Sequence, residues 1–162
     1  MINNGMFTSE TDVWSTPQDF YNKINLEFDF ELDVCALPSN AKCANYFTPE
    51  QDGLAQEWTG TCWCNPPYGR EIGKWIKKAS EAKATVVCLV PARTDTAWWH
   101  DYAMKAWKIH FIKGRIKFLT SKKGQKLAAA PAPSCLVVFK PGQDISFNLI
   151  HYSASINRFS SP

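Results

Sequence analysis

Residues 62–69 read Cys-Trp-Cys-Asn-Pro-Pro-Tyr-Gly, and no other stretch of the chain limits its fold so tightly. Pro66 and Pro67 carry no N–H and hold φ near −65°, so neither can donate to a strand ladder or sit inside a helix. Pro67 also keeps Pro66 extended. The apolar run therefore ends as a strand, and Asn65 stands at its carboxyl end. The Asn65 side-chain oxygen and the Pro66 carbonyl are two acceptors side by side, with the flat ring of Tyr68 beside them. That combination suits an amino group on a planar ring, with an acceptor for each N–H and a face to stack on.

The rest of the chain must supply a core that holds this strand. It has 162 residues, 45% of them hydrophobic and 20% charged, which is enough for one globular domain and excludes a disordered chain. The net charge of +3 is compatible with a nucleic-acid partner. Six cysteines lie at 35, 43, 62, 64, 88 and 135. They form no C-x-x-C pair, and several sit in apolar runs as small hydrophobes, so no metal site is expected. Such cysteine usage and the lack of a membrane-length apolar run fit a reduced, cytoplasmic protein.

In chain order, residues 1–13 are polar and without period and read as a flexible tail. Trp14-Ser15-Thr16-Pro17-Gln18-Asp19 reads as a helix start, with Thr16 as N-cap and Pro17 as the first helical residue. Phe20, Ile24 and Phe28 mark its buried face. Residues 28–36 read as a strand with Asp33 near its carboxyl end, where a carboxylate can take an ammonium or a ribose hydroxyl. Residues 45–58 are turn-rich. After Gly69, Ile72, Trp75, Ile76 and Ala79 share a helix face, while Lys74, Lys77, Lys78, Glu81 and Lys83 line the solvated one.

Residues 84–90 form a continuous apolar strand, as in a buried parallel sheet. A helix through Trp98, Trp99, Tyr102, Ala103 and Ala106 follows. Trp98 and Trp99 point about 100° apart, so only one can be deeply buried. A strand at 109–112 leads to residues 119–133, which read as a mobile low-complexity loop with a basic start. The last apolar strand spans 134–140. Strand and helix alternate, which gives a doubly wound, mostly parallel α/β sheet.

Asn65-Pro66-Pro67-Tyr68 is similar to the signature of amino-group methyltransferases that use S-adenosylmethionine. From Trp14 to about Lys140 the chain resembles the phage-type DNA N6-adenine methyltransferases of the Dam family. The resemblance implies the Rossmann-like fold of that enzyme class with an antiparallel final strand, a methyltransferase domain at 14–140 and a C-terminal extension at 141–162. It implies that Asn65, Pro66, Pro67 and Tyr68 are catalytic, with S-adenosylmethionine as cofactor and double-stranded DNA as partner. Thr16 and Pro17 resemble the segment that holds the methionine end of the cofactor, and Asp33 its acidic residue. No G-x-G turn follows Asp33, so Ala36 and Asn40-Ala41-Lys42 stand in its place. Asp52-Gly53-Leu54 and Trp58 resemble the segment that meets the cofactor's adenine. Arg93 and Asp95 match family positions. Arg70, Arg93, Arg115, Lys122 and Lys123 are the candidates for DNA contact, with no metal implied.

The local motif alone does not choose the amino group. Cytosine N4, RNA bases and protein amides present the same chemistry, and a non-catalytic cofactor- or DNA-binding protein is a further class. A cysteine-based zinc module is the least compatible with the spacings. Only the chain-wide resemblance favours adenine in DNA. It leaves the recognition sequence open, along with the choice between monomer and homodimer.

Overall fold

Alternation along one strand decides how both faces of the sheet are covered. In the 85–91 strand, Val86, Cys88 and Val90 belong to one core cluster, and Val87 and Leu89 to the other. Successive side chains of a strand point to opposite faces, so this strand is buried on both sides.

The computed structural model describes residues 14–120 and 126–143. The elements are α1 (Gln18–Phe28), β1 (Leu32–Asp33), β2 (Asn45–Tyr46), β3 (Thr61–Cys64), α2 (Ile72–Glu81), β4 (Thr85–Pro91), α3 (Ala97–Asp101), β5 (Lys108–Phe111), β6 (Lys117–Thr120), β7 (Lys126–Ala129) and β8 (Ser134–Phe139). A six-stranded sheet runs β2-β1-β3-β4-β8-β5, and β6-β7 forms a separate hairpin. Strands β2, β1, β3 and β4 are parallel, with Cys62 opposite Val86 and Cys64 opposite Cys88. Strand β8 is antiparallel to both neighbours, so β5 runs the same way as β4. The result is a mostly parallel α/β sheet whose final strand is antiparallel.

One face packs on α2 and α3 through Ile72, Trp75, Ile76, Ala79 and Trp99. The four apolar residues expected on the inner face of α2 are all buried. Trp99 is buried and Trp98 half-buried, as the 100° step requires. The other face packs on α1 and the β6-β7 hairpin, with Tyr21, Phe30, Trp63, Ile116 and Phe118 as its large side chains. Trp63 meets Tyr21 and Phe30 edge-to-face, with centroids at 5.4 and 5.3 Å.

Several local expectations change. Thr16 is not the N-cap of α1. Pro17 takes that place, and its carbonyl accepts the Tyr21 N–H at 3.0 Å. The Thr16 hydroxyl turns instead toward the sheet. Helix α1 runs on to Phe28, where Asp29 adopts a left-handed conformation and Asn25 Oδ1 accepts the Phe30 N–H at 2.7 Å. The expected strand at 28–36 shrinks to β1. Phe20, Ile24 and Phe28 are only half-buried, and Tyr21 is the buried anchor.

Strand β2 was hidden among turn residues. The expected single helix through Trp98 and Ala106 breaks into α3 and a 3-10 turn at Ala103–Lys105. Of the segment expected as a mobile loop, residues 119–120 and 126–129 pair within β6-β7, with Phe118 facing Ala128 across the ladder, while 121–125 lie outside the described residues. Buried Phe118 supplies the burial that the alanine run lacks, so packing outweighs weak β-propensity.

Trp63 anchors the second core and borders Asn65 through β3. Trp63→Ala should lower the unfolding free energy by about 3–5 kcal/mol, read from the midpoint and slope of a urea transition. A loss under about 1 kcal/mol would mean the aromatic cluster does not hold this face.

Candidate active site

The chain steps outward from β1 to β2 and then lays β3 on the other side of β1. In open α/β sheets, such a reversal leaves a crevice outside the carboxyl ends of the two strands. Residue 33 ends β1 opposite Trp63, and Asn65 leaves β3 just beyond it. The fold thus brings the two most distinctive polar residues of the sequence to the same edge.

The geometry around Asn65 is the most informative. Its Nδ2 donates to the Trp14 carbonyl at 2.8 Å and to Thr16 Oγ1 at 3.1 Å. A carbonyl can only accept, so the nitrogen must lie on that side. Both N–H bonds are then used, and Oδ1 is left buried without a partner. A buried acceptor of this kind costs roughly 1–3 kcal/mol unless something pairs with it. No hydrogen bond among the described residues ends on the Pro66 carbonyl. Buried Pro66 and half-buried Pro67 form the rigid wall beside it.

Tyr68 stands edge-on to Phe118 at 6.2 Å and packs at the junction of the two cores. Its hydroxyl is also buried and unpartnered. Burial raises the phenol well above its ordinary value, so it stays protonated at neutral pH.

The expected cofactor residues divide between two places. Ala36 and Asp52 come together at a narrow crevice that Cys35, Phe47, Thr48, Pro49, Gly53 and Trp75 complete. Asp52 is left-handed, with φ 52°, and its Oδ1 accepts the Leu54 N–H at 3.2 Å. Gly53 must be glycine, because an added Cβ would lie 2.1 Å from the Val34 carbonyl oxygen. Trp58 Nε1 donates to the Gly53 carbonyl at 2.8 Å and its ring stacks near Trp75.

Asp33, Thr16 and Pro17 lie on the α1 side instead. Asp33 is 2% exposed, and its oxygens accept the Cys35 N–H at 3.2 Å and the Lys42 N–H at 3.0 Å. It shapes the loop that replaces a glycine-rich turn. In that loop Asn40 Oδ1 caps the Leu37 N–H at 2.8 Å and Nδ2 reaches Ser15 Oγ at 3.3 Å.

The DNA N-6-adenine-methyltransferase (Dam) family matches residues 4–158. The chain belongs to this family. It is 33% identical over 140 residues to the DNA N-6-adenine-methyltransferase of Haemophilus phage HP1 (strain HP1c1), covering 82% of this chain and 81% of that one. It is 40% identical over 65 residues to a candidate methyltransferase, YfdM, of Escherichia coli (strain K12), covering 35% of this chain and 71% of that one.

In this Dam-family chain the basic candidates share an edge. Arg70 follows β3, Arg93 follows β4, and Arg115 follows β5, whose carboxyl ends point the same way. All three are exposed. Arg115 Nη1 also donates to the Ala130 carbonyl at 3.0 Å, tying the base of the hairpin. Lys122 and Lys123 lie outside the described residues, as do the expected tail at 1–13 and most of the C-terminal extension. Exposed Asp95 sits in the turn after β4.

Three groups left no signal in the order of residues. The Trp14 carbonyl is main chain and leaves no side-chain signal. Trp75 Nε1 and Ser134 Oγ are buried without partners, yet both residues read as ordinary core. Lys78, expected in solvent, donates to the Leu54 carbonyl at 2.8 Å and lies 5.3 Å from the Trp58 ring centroid.

The cysteines are all free. Burial pushes the Cys62 and Cys135 thiols up to about 12 and Cys64 well above the ordinary value, which makes them poor nucleophiles. No group of three or more His, Cys, Asp or Glu among the described residues could hold a metal ion. No helix among them is long and apolar enough to cross a membrane.

Burial raises Asp33 from 3.8 to about 6, against the opposing pull of the Lys42 and Cys35 N–H groups and the Lys42 charge. Folded Asp33 therefore binds its proton more tightly than unfolded Asp33. Its stabilising contribution is full below about pH 3.8 and is lost as pH rises through 6. A shift of about two units is roughly 3 kcal/mol. The stability gap between wild type and Asp33→Asn should move by about that much in favour of the variant between pH 4 and pH 7. Urea titrations of both proteins at a series of pH values check this, and a constant gap would contradict the raised value.

Proposed function

We propose that Asn65, Pro66, Pro67 and Tyr68 hold a flipped adenine of double-stranded DNA, with S-adenosylmethionine beside it, in a doubly wound, Rossmann-like methyltransferase fold. Methyl transfer to N6 of adenine in DNA is the activity that goes with the family. The observation that carries the residue assignment is the Asn65 amide, whose donors are both spent and whose buried oxygen has no partner.

The residues present fit a nucleoside-bearing cofactor. The crevice offers apolar walls in Ala36, Phe47, Pro49 and Trp75, and hydroxyl partners in Asp52 and Thr48. Asp33 is a buried carboxylate with oxygen lone pairs to spare for a cationic or hydroxyl group. Thr16 and Pro17 border Asn65 from the α1 side. When bound, S-adenosylmethionine supplies an electrophilic methyl group on a sulfonium.

The protein's part is positioning and polarisation. The lone pair of adenine N6 is delocalised into the ring, so the nitrogen is a poor nucleophile. Asn65 Oδ1 and the Pro66 carbonyl accept its two N–H bonds and favour the tetrahedral nitrogen over the planar one. Interactions that strengthen in the transition state are those that accelerate the step. The two prolines fix the spacing of these acceptors, which keeps their alignment free of reorganisation. Tyr68 offers its ring to the base. A base inside the duplex is out of reach, so the adenine is rotated out of the stack. Arg70, Arg93 and Arg115 offer phosphate contacts along the same edge, and Lys122 and Lys123 extend the set. Free thiols and the phage relative fit action in the cytoplasm of a host cell.

The reading is tested with methyl-labelled S-adenosylmethionine and unmethylated duplex DNA, followed by digestion and mass spectrometry of the nucleosides. N6-methyladenine is expected. Asn65→Ala should keep cofactor affinity and lose about 10²–10³-fold in turnover, by analogy with removal of one polarising group elsewhere. Wild-type turnover in that variant would remove Asn65 from the mechanism. Tyr68→Ala should weaken binding of DNA with an unpaired target adenine by about 1–3 kcal/mol, measured by titration.

A further inference from the structure

An asparagine amide has nearly the same shape either way round. Turned by 180° about its last torsion, Asn65 would aim two N–H donors at an amino group that needs acceptors. What prevents this lies outside β3. We propose that Thr16 is a positioning residue, whose hydroxyl acts with the Trp14 carbonyl to hold the Asn65 oxygen toward the amino group that is methylated. This rests on the reading of Asn65 given above.

The two partners do different work. The Trp14 carbonyl, at 2.8 Å, accepts only, so it decides which end of the amide faces it. Thr16 Oγ1, at 3.1 Å and 2% exposed, takes the second N–H and fixes the plane of the amide. With both in place the acceptor has one direction. The segment carrying them is itself held from two sides. Ser15 N–H donates to the Leu119 carbonyl at 3.0 Å, and the Leu119 N–H returns to the Ser15 carbonyl at 3.1 Å. The Trp14 ring meets Phe118 edge-to-face at 5.6 Å. From the other side, Asn40 Nδ2 donates to Ser15 Oγ, and Lys42 Nζ donates to Gln18 Oε1 at 2.9 Å.

The decisive comparison is Thr16→Val, which keeps the shape and removes the acceptor, against Thr16→Ser, which restores the hydroxyl. Cofactor affinity is read by calorimetry, and transfer by single turnover on duplex DNA at saturating cofactor. Thr16→Val should bind S-adenosylmethionine within about twofold of wild type and transfer about tenfold more slowly, the worth of one ordinary hydrogen bond. Thr16→Ser should recover most of that rate. An unchanged rate in Thr16→Val overturns the proposal. So does a loss of cofactor affinity, because the hydroxyl would then serve the cofactor instead.

A second measurement does not depend on how Thr16→Val folds. In Asn65→Asp, the Trp14 carbonyl faces an oxygen and favours the protonated carboxyl. Ionisation sets a charged oxygen against that carbonyl and turns the carboxylate out of place, so the single-turnover rate of this variant should fall as pH rises, while the wild-type rate does not follow that fall. A parallel pH profile for the two proteins overturns the orienting role of the carbonyl. Asn65→Ala separates the failures. If it transfers at the wild-type rate, the site itself is misread; if it is inactive while Thr16→Val is normal, only the positioning role fails.

Discussion

The Asn65 amide donates both its N–H bonds to a segment 49 and 51 residues earlier in the chain. Much of the molecule serves that contact. Strand β3 brings Asn65 to the sheet edge, and the two prolines stop the strand there. The β6-β7 hairpin pairs with Ser15, and the loop after Asp33 reaches the same residue through Asn40. Remove the contact, and the amide has no reason to keep its oxygen free.

Buried polar atoms without partners are rare in folded proteins. Among the described residues, they are Asn65 Oδ1, Tyr68 Oη, Trp75 Nε1 and Ser134 Oγ. Two belong to the Asn-Pro-Pro-Tyr motif, and Trp75 lines the crevice shared by Ala36 and Asp52. Ser134 starts β8 opposite Pro91, at the carboxyl end of β4. Three of the four thus come from the carboxyl edge of the sheet, and the fourth from a residue of α2 that also lines the crevice. Every other buried side-chain nitrogen or oxygen among the described residues has a hydrogen-bond partner. The unpaired atoms gather where ligands approach an open parallel sheet, which is the pattern expected when stability is given up for binding.

The strong local signals survived folding. The apolar run at 84–90, the helix face of Ile72, Trp75, Ile76 and Ala79, and the abrupt stop at Pro66 each became the expected element, because period and proline geometry act over a few residues. The weak signals did not. The Thr16-Pro17 pair reads as a helix cap on spacing alone, yet Pro17 caps and Thr16 faces Asn65, since a buried N–H at the sheet edge competes for the same hydroxyl. The alanine-rich stretch reads as loop, yet it pairs, because Phe118 and Ile116 bury themselves against Trp63 and Leu136. Strands β1 and β2 are two residues each, too short for periodicity to reveal.

Residue order alone required a strand to stop at Asn65 with two rigid acceptors and a ring beside it, because proline removes donors and fixes φ wherever it stands. It also determined the alternation of strands and helices through apolar period. Which way the Asn65 amide points was settled by the folded chain, since its orientation depends on a main-chain carbonyl with no side-chain signature. The folded chain alone placed Ala36 and Asp52 in one crevice with Trp75, and buried Asp33 deeply enough that loss of water raises its proton affinity. Those are properties of distance and burial, and residues far apart in the chain acquire them only when the sheet closes its order around β1 and β3.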